Sequence, residues 1–358
     1  MNRLIRAVID TRALRSNLAA VRARAPGAHV MAVVKANAYG HGLVPTALAL
    51  ADADAFAVAR LEEGLALRAA GVTKNIVLLE GVFGTEQLLE AARHGFDLVV
   101  HDPMQIDLLE SFSGQHRFVV WLKIDTGMNR LGFRPSEFPI ALARVQALIP
   151  APLEIRVLTH LARADDRDDA SNRAQIAKFN SAVGGLDCAT SIANSAGILS
   201  GTGVHADWVR PGLALYGVSP FADQSARDLG LQPVMALESR VLTVRRVPKG
   251  ETVGYGGMWR APRDSTIAIV AAGYGDGLPR NLPSDTPVLV GGRRAMIAGR
   301  VSMDMIAVDV SGLPPVHVGD SVTLWGEGLP VEEIARHAGT IPYELLCGVS
   351  QRVPLELR

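Results

Sequence analysis

The chain has 358 residues, 48% of them hydrophobic and 20% charged, with 35 glycines and 20 prolines. Such a chain can bury a core, shows no disordered bias, and is long enough for a large domain plus a smaller one. Thirty-six basic residues balance 36 acidic ones, which argues against a nucleic-acid or anionic-membrane partner and favours a small molecule.

The opening stretch, MNRLIRAVIDTRALRSN, places charges where a signal peptide needs an apolar run, and no segment reaches transmembrane length, so a cytoplasmic protein is expected. Cys188 and Cys347 are the only cysteines and lack CxxC spacing. That fits a reducing compartment and offers neither a disulfide framework nor a metal site.

From Val30 to about Tyr216, short β-branched runs alternate with segments of helical period, the pattern of repeated βα units around a parallel sheet. Eight strand candidates follow in order: VMAVV from Val30, AFAVA from Ala55, NIVLL from Asn75, DLVV from Asp97, RFVVWLKI from Arg117, EIRVLTH from Glu154, DCATSIAN from Asp187 and DWVRPGLALYG from Asp207. Amphipathic stretches lie between them. TEQLLEAARHG opens on Thr85 as a cap, SNRAQIAKFNSAVGG begins at Ser171, and both close on glycine. The pattern predicts an α/β fold, an eight-stranded (β/α)8 barrel over residues 9–228; a doubly wound sheet shares the local pattern and stays open. After about Leu229 the texture changes to closely spaced strand runs such as ALESRVLTVRRV, STIAIVAAG and PVLVGGRRAMIAG. Residues 229–358 are therefore expected to form a mostly β C-terminal domain.

In such a barrel the reactive groups sit where strands end. Lys35 ends the first run, Lys123 and Asp125 the fifth, His160 the sixth, Asn194 and Ser195 the seventh, and Arg210 lies in the eighth, so all would converge on one face. Lys35 leaves an apolar strand into ANAYGHG. An amine desolvated there has a depressed pKa and can form a Schiff base with an aldehyde, although by position alone a lysine snorkelling out of a strand end is the commoner arrangement. Ser195 and Gly212 lie at the ends of strands seven and eight, the quarter of this fold that habitually binds phosphate. His160 and Arg210 are near enough for a shared polar network across the mouth.

Several segments recur in a recognisable order: AVVKANAYGHG around Lys35, KIDTGMNRLGF from Lys123, LTHLARADD from Leu158, ANSAG followed by VRPGLALYG, then VGYGG, GYGDG and GRVSMDM. On these the chain resembles the alanine racemases along nearly its whole length. The resemblance implies the barrel and a following β domain whose first strand comes from Arg3 to Ile9, residues 1–8 thus joining 229–358. It also implies a head-to-tail homodimer in which the β domain of one subunit completes its partner's site, and interconversion of L-alanine and D-alanine with pyridoxal 5'-phosphate. Lys35 would hold the cofactor, Tyr39, Ser195, Gly212 and Leu213 would bind its phosphate, with Asn194 beside them, and Arg210 would face the pyridine nitrogen, oriented by His160. Arg130 would sit near the substrate carboxylate, and Tyr255, Tyr274, Met303 and Asp304 would enter from the other subunit. Lys123 matches a lysine carbamylated in many family members, where the new charge positions the arginine matched by Arg130. One departure stands out: Gln351 precedes ArgValPro where the family often has a phosphate-contacting Tyr.

Two bases on opposite faces of the substrate Cα allow inversion, Lys35 taking the proton from D-alanine and Tyr255 from L-alanine. A phenol with an ordinary pKa of ~10 needs a positive or hydrogen-bonding environment for this, which the His160 and Arg210 network would supply. A guanidinium at the pyridine nitrogen holds its own proton, which is expected to suppress transamination. The alternatives are a pyridoxal-phosphate amino-acid decarboxylase of the same plan and a non-enzymatic carrier of the cofactor, which would end with the barrel. Cell-wall supply of D-alanine, a peptidoglycan precursor, and L-alanine breakdown would use the same chemistry.

Overall fold

Eight parallel strands close into a barrel in the computed structural model, which describes residues 4–201 and 204–358. They are His29–Val33, Ala55–Val58, Asn75–Leu78, Asp97–Val100, Val119–Lys123, Glu154–Leu158, Thr190–Asn194 and Trp208–Arg210. Each pairs with the next in sequence, and the first pairs with the eighth through His29 beside Trp208. Closure removes the doubly wound alternative.

Helices cover the outside, so a strand is shielded on both faces and reads as an unbroken apolar run; Val119–Lys123 is buried throughout. Between the fifth, sixth and eighth strands the Arg156 guanidinium lies 5.2 Å from the Trp121 ring and 5.0 Å from Trp208. Burying a cation on ring faces in this way replaces part of its lost hydration.

The eighth strand is shorter than DWVRPGLALYG suggests. Pro211 has no N–H to donate and Gly212 turns the chain, so Leu213–Tyr216 becomes a 3-10 turn. Thr85 is the first residue of its helix, Thr85–His94, with Gly84 at the cap position and Gly95 closing it in the left-handed conformation. The later helix, Ala170–Val183, is capped by Asp169, whose carboxylate accepts the Ser171 N–H at 2.7 Å.

The rest of the chain builds an antiparallel sheet around one long strand, Met235–Val247. Eight strands run in the order Ser265–Val270, Ile306–Asp309, Arg293–Ile297, Pro287–Val290, Ser321–Trp325, Met235–Val247, Arg6–Ile9 and Leu355–Leu357, and the long strand also pairs back to Ser265–Val270. Arg6–Ile9 runs antiparallel to the long strand and parallel to Leu355–Leu357, so both chain ends lie side by side. Arg6 ties them through Glu238 at 2.8 Å and Glu356 at 2.9 Å. Arg3, where the expected first strand began, lies outside the described residues.

Two short helices, Val331–Ala338 and Pro342–Gly348, break the β texture and pack back toward the barrel. Glu332 accepts the Ser219 N–H at 2.9 Å, joining the two parts. Among the described residues no helix is long and apolar enough to cross a membrane.

Candidate active site

The C-terminal ends of the barrel strands surround a cavity of about 490 Å³, within the range of small-molecule sites. Lys35, Tyr39, Lys123, Arg130, His160, Asn194, Ser195, Arg210, Gly212 and Leu213 all line it.

Lys35 opens an unusual turn. Ala36, Asn37, Ala38 and Tyr39 have φ of 54°, 53°, 53° and 53°, four consecutive left-handed residues without a glycine among them. This backbone costs roughly 1–2 kcal/mol per residue, so neighbours must hold it. Glu63 accepts the Ala36 N–H at 2.6 Å, Asn37 Oδ1 accepts the Leu43 N–H at 2.9 Å, and the ring of His41 meets the carbonyls of Ala38 and Tyr39 at 3.0 and 2.9 Å through Nδ1. Burial lowers the His41 pKa to about 4, so the neutral ring can donate through Nδ1. Gly40 follows because nothing larger fits: a Cβ there would stand 2.1 Å from the Leu346 carbonyl oxygen.

Tyr39 stacks on Tyr216 with ring centroids 4.7 Å apart, and burial raises its pKa, leaving a neutral hydroxyl. That hydroxyl faces Gly212, where a Cβ would come within 2.4 Å of Oη. Ser195 completes the cup, its Oγ accepting the N–H groups of Gly212 and Ala214 at 2.9 and 3.1 Å. Asn194 caps the short helix Ser195–Leu199 by accepting the Gly197 N–H at 3.0 Å.

Arg210 is 5% exposed, and burial lowers its pKa to about 10, still high enough for a cation at neutral pH. It donates to Ser191 Oγ and the Thr159 carbonyl, both at 2.5 Å, and to the Ile192 carbonyl at 3.3 Å. The expected network is thereby corrected: Ser191 and two backbone carbonyls orient Arg210, and His160 is not among its hydrogen-bond partners. Burial and then the nearby charge of Arg210 hold His160 well below its ordinary pKa, so it is neutral and adds no positive charge.

Burial, Arg210 and Arg130 together lower the Lys123 amine to about 8. Arg130 sits on the loop after the fifth strand, which Asp125 fixes by accepting the N–H groups of Gly127 and Asn129 at 2.9 and 3.1 Å. The lining thus carries Lys35, Lys123, Arg130 and Arg210 against one carboxylate, Glu80. This donor set fits a small ligand bearing a phosphate and a carboxylate, the groups that pyridoxal phosphate and an amino acid would bring.

The residues expected from the other subunit lie elsewhere. Tyr255 is 69% exposed, Met303 53% and Tyr274 39%; these and Asp304 are all absent from the cavity lining. Gln351 is exposed and also stands apart from it. Tyr343 and Cys347, on the helix Pro342–Gly348, do line the cavity, Tyr343 tilting against Tyr39 at 5.7 Å. Sequence reasoning missed both, and the only signal was the short helical stretch after residue 340 in a β-rich region.

A closed (β/α)8 barrel joined to an antiparallel sheet, with a lysine and three further cations at its mouth, defines the fold class and the kind of ligand. Residues 9–220 match the family described as alanine racemase, N-terminal domain, and residues 234–357 its C-terminal domain. The chain belongs to the alanine racemase family. It is 50% identical over 355 residues to an alanine racemase of Nitrosospira multiformis, covering 99% of each chain. The biosynthetic alanine racemase of Pseudomonas aeruginosa is similar in structure, with a TM-score of 0.96 at 46% identity over 99% of both chains. The Bartonella henselae alanine racemase, with covalently bound pyridoxal phosphate, gives 0.91 at 33% identity over 99% of this chain and 100% of that one.

Proposed function

We propose that this isomerase interconverts L-alanine and D-alanine in a homodimer with shared sites, using pyridoxal phosphate on Lys35. The observation that carries the reading is the division of the machinery: the lysine lies inside a cationic cavity while Tyr255 stands on an exposed face of the same chain. Met258, Met303 and Met305 are likewise exposed, by 64%, 53% and 42%, apolar side chains that a second copy would cover. Both halves of the chain match the racemase family, which disfavours the decarboxylase and carrier readings.

The cofactor, once bound, acidifies the substrate Cα–H by spreading the negative charge left behind. Ser195, Gly212, Leu213 and Tyr39 would hold its phosphate, with Asn194 shaping the loop beneath. Arg210, its proton retained and its direction set by Ser191, would face the ring nitrogen. Arg130 would hold the alanine carboxylate, and Met303 of the partner subunit would close over it. Lys35 Nζ would take the Cα proton of D-alanine, and Tyr255 of the partner subunit that of L-alanine, each returning it in the reverse direction. Tyr274 and Asp304 of the partner subunit would support that arrangement, and Arg210 rather than His160 would provide the positive field for the phenol.

Lys123 fits carbamylation, since an amine with a pKa of about 8 is in part neutral near pH 7 and is surrounded by cations that favour a new anion. The activity is tested by incubating purified, cofactor-loaded protein with L-alanine and following D-alanine by chiral chromatography. D-Alanine from the wild type, and none from Lys35→Ala, is expected. No D-alanine from loaded wild type would overturn the reading, and released carbon dioxide would redirect it to a decarboxylase.

A further inference from the structure

Three segments meet at one corner of the sheet domain: the turn Tyr274–Asp276, the loop 302–304 and the C-terminal stretch 350–352. Arg352 joins them. Its Nε donates to Asp276 Oδ1 at 2.7 Å and its Nη2 to Asp304 Oδ1 at 2.8 Å. Asp276 is only 3% exposed; its other oxygen accepts the Gly273 N–H at 2.8 Å and its carbonyl accepts the Ser350 N–H at 3.1 Å. The N–H groups of Tyr274 and Gly275 donate to the carbonyls of Ser302 and Met303 at 2.9 and 2.8 Å.

The segments approach so closely that a Cβ on Gly275 would stand 2.9 Å from Arg352 Cζ and 3.0 Å from the Met303 carbonyl oxygen. Arg352 therefore grips the two loops that carry Tyr274, Met303 and Asp304. The Arg352 side chain is 47% exposed and that of Asp304 57%, and an ion pair so open to water adds little to stability, whereas the Asp276 side chain is only 4% exposed. What the two contacts supply together is geometry, two donors of a planar fork on two different loops.

We propose that Arg352 is a positioning residue for the neighbouring subunit's site: by holding Asp276 and Asp304 it sets Tyr274 and Met303 against alanine bound in the partner's cavity. The inference rests on the shared-site reading. Loss of the grip misplaces side chains that touch substrate and not those that hold the cofactor, so KM for alanine rises about tenfold while the cofactor absorbance stays that of the wild type.

Heterodimers assembled from two differently tagged chains test this directly. The Arg352→Gln homodimer is expected to show the raised KM at unchanged dimer mass, and an unchanged KM overturns the proposal. In a heterodimer of Lys35→Ala with Arg352→Gln, the one site that retains its lysine receives its loops from the chain with Arg352 intact, so wild-type KM is expected. A KM that stays raised there places the effect inside Arg352's own subunit and overturns the proposal. Gly275→Ala, which crowds the loops apart and leaves both carboxylates in place, should give the same two results, and serves if Arg352→Gln fails to fold. A heterodimer of Lys35→Ala with Tyr255→Phe is the control: activity requires shared sites, and its absence overturns the shared-site reading itself.

Discussion

The barrel mouth and the outer face of the sheet domain are built on opposite terms. At the mouth, Arg210 has three hydrogen-bond acceptors, Ser195 gathers two backbone N–H groups, and buried amines and rings have pKa values moved by their surroundings. On the sheet face, Tyr255 and Met303 stand in solvent, and the loops that carry Tyr274 and Met303 are held from behind at the Arg352 corner. The contrast is between a cavity whose groups are packed and fixed within one chain and a face carrying Tyr255 and Met303 that is left open, as the proposed shared site requires.

The largest expected effect falls on the open face. Tyr255→Phe should reduce proton exchange begun from L-alanine by about a thousandfold without changing cofactor loading. Retention of that exchange, followed by solvent deuterium uptake, would remove Tyr255 from the mechanism and break the division of labour.

The next effect probes the packed barrel mouth. His41, fully buried and lowered to about 4, binds a proton in the unfolded chain near pH 6.5 and in the folded one only far below it. Its contribution is therefore present above pH 6.5 and lost as pH falls toward 4, about 3 kcal/mol in all. Asp97, raised by burial to about 6, acts in the opposite sense, so the test is the difference between the stability curves of the wild type and His41→Gln. A difference that stays flat from pH 7 to 4 would show that His41 is not closed off from water.

Gly212→Ala is expected to cost ~1–3 kcal/mol through the clash with Tyr39 and to weaken cofactor binding by about tenfold or more. Equilibrium dialysis would show it, and unchanged affinity would mean that the cup yields more readily than its packing implies. The smallest effect is at Lys123. Bicarbonate should raise the activity of decarbonated enzyme a few-fold, more at pH 8 than at pH 7 because more of the amine is neutral, and mass spectrometry of the active form should show one added carbon dioxide. Indifference to bicarbonate would leave Lys123 as a buried cation only.

Much of the barrel was legible because its strands are short, apolar and regularly spaced, and because Lys35, Lys123, His160 and Ser195 each fall where such a run stops. The partners of Arg210 were not legible: Ser191 lies inside a strand run with nothing local to mark it, and two other acceptors are backbone carbonyls. Tyr343 and Cys347 reach the cavity from the far end of the chain, a contact that periodicity cannot express. The left-handed turn after Lys35 ran against local preference, since Ala36 and Ala38 favour right-handed helix and only their surroundings reverse it.

That turn also has a consequence for the order in which the protein becomes competent. Lys35 is synthesised just after the first barrel strand, His29–Val33. The surface against which Gly40 rests is the Leu346 carbonyl, which belongs to a helix made only after the whole barrel and most of the sheet domain. A nascent chain therefore carries Lys35 long before it has the contact that backs the neighbouring turn, and the part of the cavity lining given by Tyr343 and Cys347 is added only with that helix.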